Sequence, residues 1–204
     1  RAEQRGELLR LLEGLSREQR ALRAQVALER RQNASPEALA RAVVEAATGP
    51  ELVRRVSGVL HPLVPHDRLE LLALGAIEGS VVPLSGAQVR RRWGSPSPHW
   101  AQVVTLLADR LADRPTVAVT DLAEEAPGLS WPGGAGGSPR VTSLLATRLD
   151  LAAARCGYLV LGHAARDTYR PADEEAIEVA ARLVAARVVG LRLAAEVEAL
   201  RGQL

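Results

Sequence analysis

The chain has 204 residues, a formal net charge of +2 at pH 7 and a single cysteine. A charge this close to balance argues against direct contact with nucleic acid. One cysteine excludes a disulfide framework or a cysteine-rich metal site within the chain, and no apolar run reaches the roughly 18 residues of a membrane span. The hydrophobic content of 47% suffices for a core, built mainly from Leu, Val and Ala because Phe and Met are absent.

The length accommodates one ordinary domain with extensions. The chain does not begin with Met and shows no signal peptide, so we expect a cytoplasmic piece of a longer protein. Its four histidines lack the spacing of metal ligands, and we predict neither a metal nor a cofactor.

The first 33 residues carry a heptad pattern, which is interrupted once by Gln19 and predicts a coiled-coil helix. The pattern consists of Leu8, Leu12, Leu15, Leu22 and Val26. A helix this short is marginal alone and needs a partner, either a second copy of itself or the C-terminal helix.

Residues 36–190 alternate strand and helix patterns, which predicts an α+β domain with an antiparallel sheet flanked by helices. A helix over 36–60 is interrupted at Gly49-Pro50. Another covers His99–Leu111, and the segment 127–139 is a glycine-rich loop. The predicted strands are Leu69–Leu74, Ser80–Leu84, Ala87–Trp93, Thr116–Thr120, Arg140–Asp150 and Arg155–Gly162, of which the last two form a hairpin.

Irregular elements between residues 95 and 140 bring polar and aromatic side chains together on the predicted sheet. Two tryptophans supply apolar walls, and the polar groups fix a polar ligand. The candidate ligand-binding residues are His99, Trp100, Thr120, Asp121 and Trp131. The same residues are equally suited to fill a ligand-free core.

Cys156 is the candidate for a thiol enzyme or a redox sensor. Strict alternation along its strand places residues 156, 158, 160 and 162 on one face, so that Cys156 and His163 face apart. No third catalytic member is evident in the sequence. We therefore expect a buried, structural thiol.

The last helix is predicted to begin near Pro171 and to run through Leu204, which at 1.5 Å per residue is about 50 Å and outruns a compact domain. We therefore assign residues 191–204 to a signalling extension. One apolar stripe along this helix is predicted to form a dimer interface together with the N-terminal heptads; the alternative is a bundle helix that packs within its own chain. It includes Ile177, Val184, Val188 and Leu191.

Three segments of the chain resemble GAF domains. The strand Cys156–His163 is followed by Tyr169-x-x-x-Asp173 and a helix rich in Ala and Val. The segment Leu60–Leu71 resembles the turn that leads into the first strand of the family, and Thr142–Leu149 resembles one of its later strands. The resemblance covers roughly residues 37 to 190.

The resemblance implies a small-ligand sensor and dimerisation module, in which the helix at His99 flanks the ligand cavity. Gly162-His163 stands where cyclic-nucleotide-binding members have Asn-Lys, so the resemblance does not extend to that ligand. One cysteine is too few for the methionine sulfoxide reductases of the family, and a cysteine in a strand does not suit its bilin-binding members.

These observations predict a non-catalytic sensory and dimerisation module of a bacterial signal-transduction or transcription-regulatory protein. Its expected partners are a second copy, an unidentified small ligand and an output domain elsewhere in the full-length chain. The alternative is a small thiol-dependent enzyme or redox sensor that uses Cys156.

Overall fold

A computed structural model describes residues 19, 36–74, 81–84, 98–127, 131, 140–152 and 154–201. The helices of this part are α1 (Pro36–Glu45), α2 (Gly49–Leu60), α3 (Pro98–Arg110), α4 (Leu122–Glu125) and α5 (Pro171–Arg201). The strands are β1 (Arg68–Leu74), β2 (Val81–Pro83), β3 (Thr116–Val119), β4 (Ser143–Leu151) and β5 (Ala154–His163). The helix predicted at 1–33 (apart from the helical Gln19), the strand predicted at 87–93 and nearly all of the loop at 127–139 lie outside the described residues.

The five described strands form one sheet in the order β2-β1-β5-β4-β3, and each neighbouring pair is antiparallel. The predicted hairpin of the last two strands is confirmed, and its register pairs Leu145 with Leu161. The α+β class with an antiparallel sheet and flanking helices is therefore confirmed.

The predicted break between α1 and α2 is also confirmed, and its cause is local. The side-chain oxygen of Thr48 accepts a hydrogen bond from the backbone N–H of Glu51 at 3.3 Å, which caps the start of α2. Pro50 lies in the first turn of that helix, where a missing N–H costs nothing.

The start of α5 is also determined by neighbouring residues. Asp173 accepts a hydrogen bond from the backbone N–H of Arg170 at 2.7 Å, just before the first-turn residue Pro171. A carboxylate near the positive end of the helix dipole stabilises that end. The hydrogen bond explains Asp173. Pro171 suits the first turn because that turn needs no N–H from it.

Helices α1, α2 and α5 cover one side of the sheet, here named the helix face. Its core contains Leu52, Val56, Leu71, Leu159, Leu161, Ile177 and Val184, all fully buried. Polar contacts add to the apolar packing of α5. The Thr116 hydroxyl donates to the Glu178 carboxylate at 2.8 Å, and Arg192 donates to the carbonyl of Leu74, the last residue of β1, at 3.2 Å.

The structure corrects the predicted dimer stripe on α5. Ile177, Val184 and Val188 are buried in the core of their own chain, and Leu191 is partly buried against it. An amphipathic helix directs its most apolar stripe to its own core first, and here that core is the sheet. The large apolar side chains that remain exposed on α5 are Val179, Leu193, Val197 and Leu200.

The alternation expected around Cys156 is also wrong. Residue pairs Leu149–Gly157 and Asp150–Arg155 leave Cys156 as an extra residue, which is a β-bulge. The bulge turns Cys156 toward the helix face, whereas Tyr158 and Val160 lie in the core on the opposite side of the sheet.

Candidate functional site

The side of the sheet away from α5, here named the far face, carries a second core beneath α3. Its members are almost entirely aliphatic apart from two tryptophans and a tyrosine. They include Leu72, Trp100, Val103, Leu107, Val119, Leu144, Tyr158 and Val160, with Trp131 packed against them.

The structure brings the two predicted tryptophans together. The rings of Trp100 and Trp131 meet edge to face, with centroids 5.1 Å apart, which is the favoured geometry for aromatic pairs. Trp100 is buried in α3, while Trp131 is half-buried. The pair therefore forms part of the wall of the far face.

Trp131 fixes the residue type at the end of β5. A Cβ atom placed on Gly162 would lie 2.8 Å from a ring carbon of Trp131 and 2.8 Å from a methyl carbon of Val141. Only glycine lets the indole and the valine approach the strand so closely. This close approach supplies a packing reason for Gly162 at this position.

Thr120 and Asp121 lie side by side where β3 leads into α4, and both interact with Glu125. The backbone N–H and the hydroxyl of Thr120 donate to the Glu125 carboxylate at 2.8 Å and 3.0 Å. Thr120 is otherwise exposed, whereas Asp121 is buried. The chain itself thus uses the polar groups of Thr120.

Glu125 is held in its ionised form. Partial burial opposes its charge, but the Arg110 guanidinium at 2.5 Å and the donors on Thr120 and Asp121 outweigh it and lower the pKa of Glu125 to about 2. The ion pair links α3 to α4 along the rim of the far face.

Asp121 has two structural roles. One carboxylate oxygen accepts from the backbone N–H of Ala123 at 2.9 Å and caps α4, and the other lies 3.0 Å from the guanidinium of Arg166. Arg166 belongs to the loop between β5 and α5 and is largely exposed. Asp121 therefore connects the rim of the far face to the loop that leads into α5.

His99 is the second residue of α3 and immediately precedes Trp100. The described part of the structure does not include its side chain. Its assignment as a ligand-binding residue remains a prediction, as do the ligand-binding roles of the other four residues.

Glu70 was missed by the sequence analysis. It stands opposite Val160 in the register of β1 and β5, and cross-strand partners share one face of a sheet, so it lies on the far face. It is only 5% exposed, and its carboxylate accepts from the N–H of Leu71 at 3.2 Å. An acidic residue between leucines in a strand was the available signal.

Cys156 is buried, and its thiol donates to the carbonyl oxygen of Leu149 at 3.0 Å. Burial raises the pKa of the thiol, and the negative charge of Asp150 raises it further. A thiol with a raised pKa is a poor nucleophile at neutral pH.

Another buried polar group lies between α2 and β1. His66 Nδ1 is 2.8 Å from the Val64 carbonyl oxygen, and Nε2 is 2.9 Å from the Ser57 hydroxyl oxygen. Because a carbonyl only accepts, Nδ1 carries the proton and the neutral Nε2 accepts from Ser57. Burial is the main cause that lowers the pKa of His66.

Within the described residues, no three His, Cys, Asp or Glu side chains converge as a metal site requires. In the same part of the chain, no helix is both long and apolar enough to cross a membrane.

No protein-family model matches the chain, and no curated protein matches it either. Solved structures do match. The GAF domain of a phosphoenolpyruvate-protein phosphotransferase from Coxiella burnetii is 16% identical with a TM-score of 0.58, over 87% of this chain and 99% of that one.

Two further structures show the range of similar proteins. A methyl-accepting chemotaxis protein fragment is 15% identical with a TM-score of 0.53, over 76% of this chain and 97% of that one. A free methionine-R-sulfoxide reductase from Neisseria meningitidis is 14% identical with a TM-score of 0.50, over 76% and 87%. The described part of the chain is an α+β domain whose five strands form one antiparallel sheet. Its fold is that of a GAF domain.

Proposed function

We propose that this chain is a non-catalytic sensory and dimerisation module of a bacterial signal-transduction or transcription-regulatory protein. The observation that carries the proposal is the division of the fold into two faces. The far face presents the tryptophan pair and a charged rim, and the helix face holds a 31-residue helix whose last turns carry exposed apolar side chains. A GAF domain and a chemotaxis protein with this fold support the assignment.

In this proposal a small ligand binds on the far face, against Trp100 and Trp131, and α5 carries the response to an output domain. The strands between the two faces are the connection. Thr116 on β3 bonds to Glu178, and the end of β1 bonds to Arg192, so two strands contact α5 through polar groups as well as through packing. A shift of either strand on ligand binding then alters the position of the helix.

The module acts as a parallel homodimer in the cytoplasm, with the N-terminal heptads and α5 as the helices that join the two copies. Because Ile177, Val184 and Val188 face their own core, the α5 contribution comes from other residues of the same helix. The N-terminal contribution, from Leu8, Leu12, Leu15, Leu22 and Val26, is supported by their heptad spacing.

A ligand screen that follows tryptophan fluorescence and thermal stability tests the binding site. Any ligand found by the screen is measured again on Trp100→Ala, Trp131→Ala and His99→Ala. We expect each tryptophan substitution to weaken binding at least about tenfold, which corresponds to roughly 1.4 kcal/mol. A ligand whose affinity is unchanged in all three variants binds elsewhere and contradicts the proposed site.

The second candidate, a thiol enzyme or redox sensor, is suggested by the similarity to a sulfoxide reductase. The environment of Cys156 opposes it, because the thiol is buried and its pKa is raised. Labelling of the native protein with a thiol reagent should be slow and should accelerate on denaturation. Fast labelling of the native protein would revive the redox sensor.

A further inference from the structure

One oxygen of the Asp121 carboxylate has no hydrogen-bond partner among the described residues. Oδ1 accepts from the N–H of Ala123, whereas Oδ2 is buried without a donor in hydrogen-bonding geometry. A guanidinium nitrogen of Arg166 lies 3.0 Å from Oδ2 and forms an ion pair that lacks this geometry. Because a buried acceptor without a hydrogen bond is unfavourable, Oδ2 favours any cation that donates to it in better geometry.

The two members of this ion pair differ in exposure. The Asp121 side chain is 7% exposed and held in place as a helix cap, whereas the Arg166 side chain is 66% exposed. An exposed arginine gains little from an ion pair, since it loses side-chain freedom and solvent screens the charges. Glu124 lies 4.0 Å from the same nitrogen of Arg166 and adds negative charge on the outer side. Arg166 therefore covers a fixed acidic position with a group that leaves it easily.

Arg166 belongs to the segment 164–168, which contacts the rim of the far face and leads into α5. The N–H of Asp167 donates to the Thr120 carbonyl at 3.1 Å. Asp167 has a φ of 46°, in the left-handed region that residues other than glycine seldom adopt. Contacts at the rim thus hold a strained backbone just before Pro171, the first residue of α5.

We propose that Asp121 binds a guanidinium or ammonium group of the ligand, and that Arg166 occupies this position until the ligand displaces it. The proposal rests on the sensory function proposed above and adds the class of ligand and the first step of the response. Leu122, next to Asp121, lies in the same core as Trp100, so a ligand on the far face reaches the rim. Once displaced, Arg166 no longer ties the segment 164–168 to the rim, and the start of α5 is held less firmly.

Ethylguanidinium and ethylurea are a matched pair of probes, because they have nearly the same shape and differ in charge. Hydrogen exchange of the full chain is followed at residues 164–174 with either probe at millimolar concentration and equal ionic strength. We expect ethylguanidinium to raise the exchange rates of this segment about two- to fivefold, the size expected for the loss of one exposed ion pair. Ethylurea should leave the rates unchanged.

Two arginine variants separate the tie from general charge effects. Arg166→Gln removes the tie, and Arg170→Gln removes an equal charge from a nearby exposed arginine. We expect R166Q to show the raised exchange rates without a probe. By calorimetric titration it should also bind ethylguanidinium about two- to fivefold more tightly than the wild type, because the competing group is gone. R170Q should behave as the wild type in both measurements.

Asp121→Asn tests the anchor itself and keeps a side chain that caps a helix equally well. We expect D121N to bind ethylguanidinium at least about tenfold more weakly than R166Q does, because the charge-assisted hydrogen bonds are lost. Its exchange rates at 164–174 should match those of R166Q and should not respond to ethylguanidinium.

The contradicting outcomes are distinct. Equal effects of the two probes, or a response of D121N to ethylguanidinium, would show general destabilisation and overturn binding at Asp121. Wild-type exchange rates that ignore ethylguanidinium, or R166Q rates equal to those of the wild type, would also overturn the proposal. None of these results concerns binding against the tryptophans, which the ligand screen with Trp100→Ala and Trp131→Ala tests separately. Failure in that screen would contradict the proposed function instead.

Discussion

The two faces of the sheet are lined by side chains of different chemistry. The helix face is filled with aliphatic residues from three helices and holds α5 by polar contacts to β1 and β3. The far face combines an aliphatic layer with an aromatic pair, a buried carboxylate and a charged rim. The difference teaches that aliphatic packing and a few polar contacts hold α5, whereas the chemically varied side chains lie on the face where we propose that a ligand binds.

The packing of α5 on the helix face is tested most strongly by a matched pair of substitutions two residues apart on this helix. Ile177 is wholly buried and Val179 is exposed. We expect Ile177→Ala to lower the free energy of unfolding by about 2–5 kcal/mol because it leaves a cavity. Val179→Ala should change it by less than about 0.5 kcal/mol in the monomer. Urea denaturation checks both, and equal effects would contradict the assigned orientation of α5.

The second prediction concerns how the free energy of unfolding depends on pH through His66. The lowered pKa of His66 means that the folded state binds its proton less readily than the unfolded state, whose histidine titrates near 6.5. Stability contributed by neutral His66 is therefore complete above that pH and is lost as the pH falls below it. The slope is at most about 1.4 kcal/mol per pH unit for one proton.

The titratable groups whose charges act on His66 are His61, Asp67 and His163. We expect His66→Asn to flatten the dependence of the urea midpoint between pH 7 and 5, and the exposed His61→Asn to leave most of it. A slope that survives in H66N assigns the acid sensitivity to another group.

Two substitutions of Asp121, on the rim of the far face, separate its role as a helix cap from the effect of its charge. Asp121→Ala removes the cap of α4 and should cost about 1 kcal/mol in thermal or chemical denaturation. Asp121→Asn keeps an equally good cap and removes only the charge beside Arg166, which is largely exposed, so its effect should be smaller. A larger loss in the asparagine variant would show that the ion pair dominates.

The smallest expected change in the free energy of unfolding is that of Tyr169→Phe on the helix face. The hydroxyl of Tyr169 is buried without a hydrogen-bond partner among the described residues, and burial raises its pKa strongly. Removing an unsatisfied hydroxyl is close to neutral or stabilising, so Tyr169→Phe should change the free energy of unfolding by about 0.5 kcal/mol or less. A loss above about 1 kcal/mol by urea denaturation would reveal a partner for the hydroxyl, such as an ordered water.

Local signals account for what the sequence predicted. The Thr48-Gly49-Pro50 break and the Pro171 helix start depend on nearby residues, and the strand boundaries follow from apolar runs that end at turns. Trp100 and Trp131 were predicted to line one site because both stand between residues 95 and 140, and the structure brings their rings into contact. Such features need no knowledge of distant contacts.

Other features depend on contacts between distant parts of the chain. The side of α5 that meets the sheet depends on competition between two apolar stripes, and spacing alone did not decide between them. Cys156 changed face because of a bulge set by its pairing with β4. Glu70 is buried on the far face beside Val160 of β5, a pairing partner that lies far from it in the sequence.

The contact between Arg192 and the end of β1 has a consequence for protein engineering. Past this anchor, the described part of α5 has no further polar tie to the sheet, and its continuous helical backbone fixes the angular phase of whatever follows. One inserted residue turns all later residues by about 100°, whereas seven turn them by only about 20° from their original direction. Chimeras that fuse this domain to a reporter should therefore regain coupling at linker lengths that differ by seven residues.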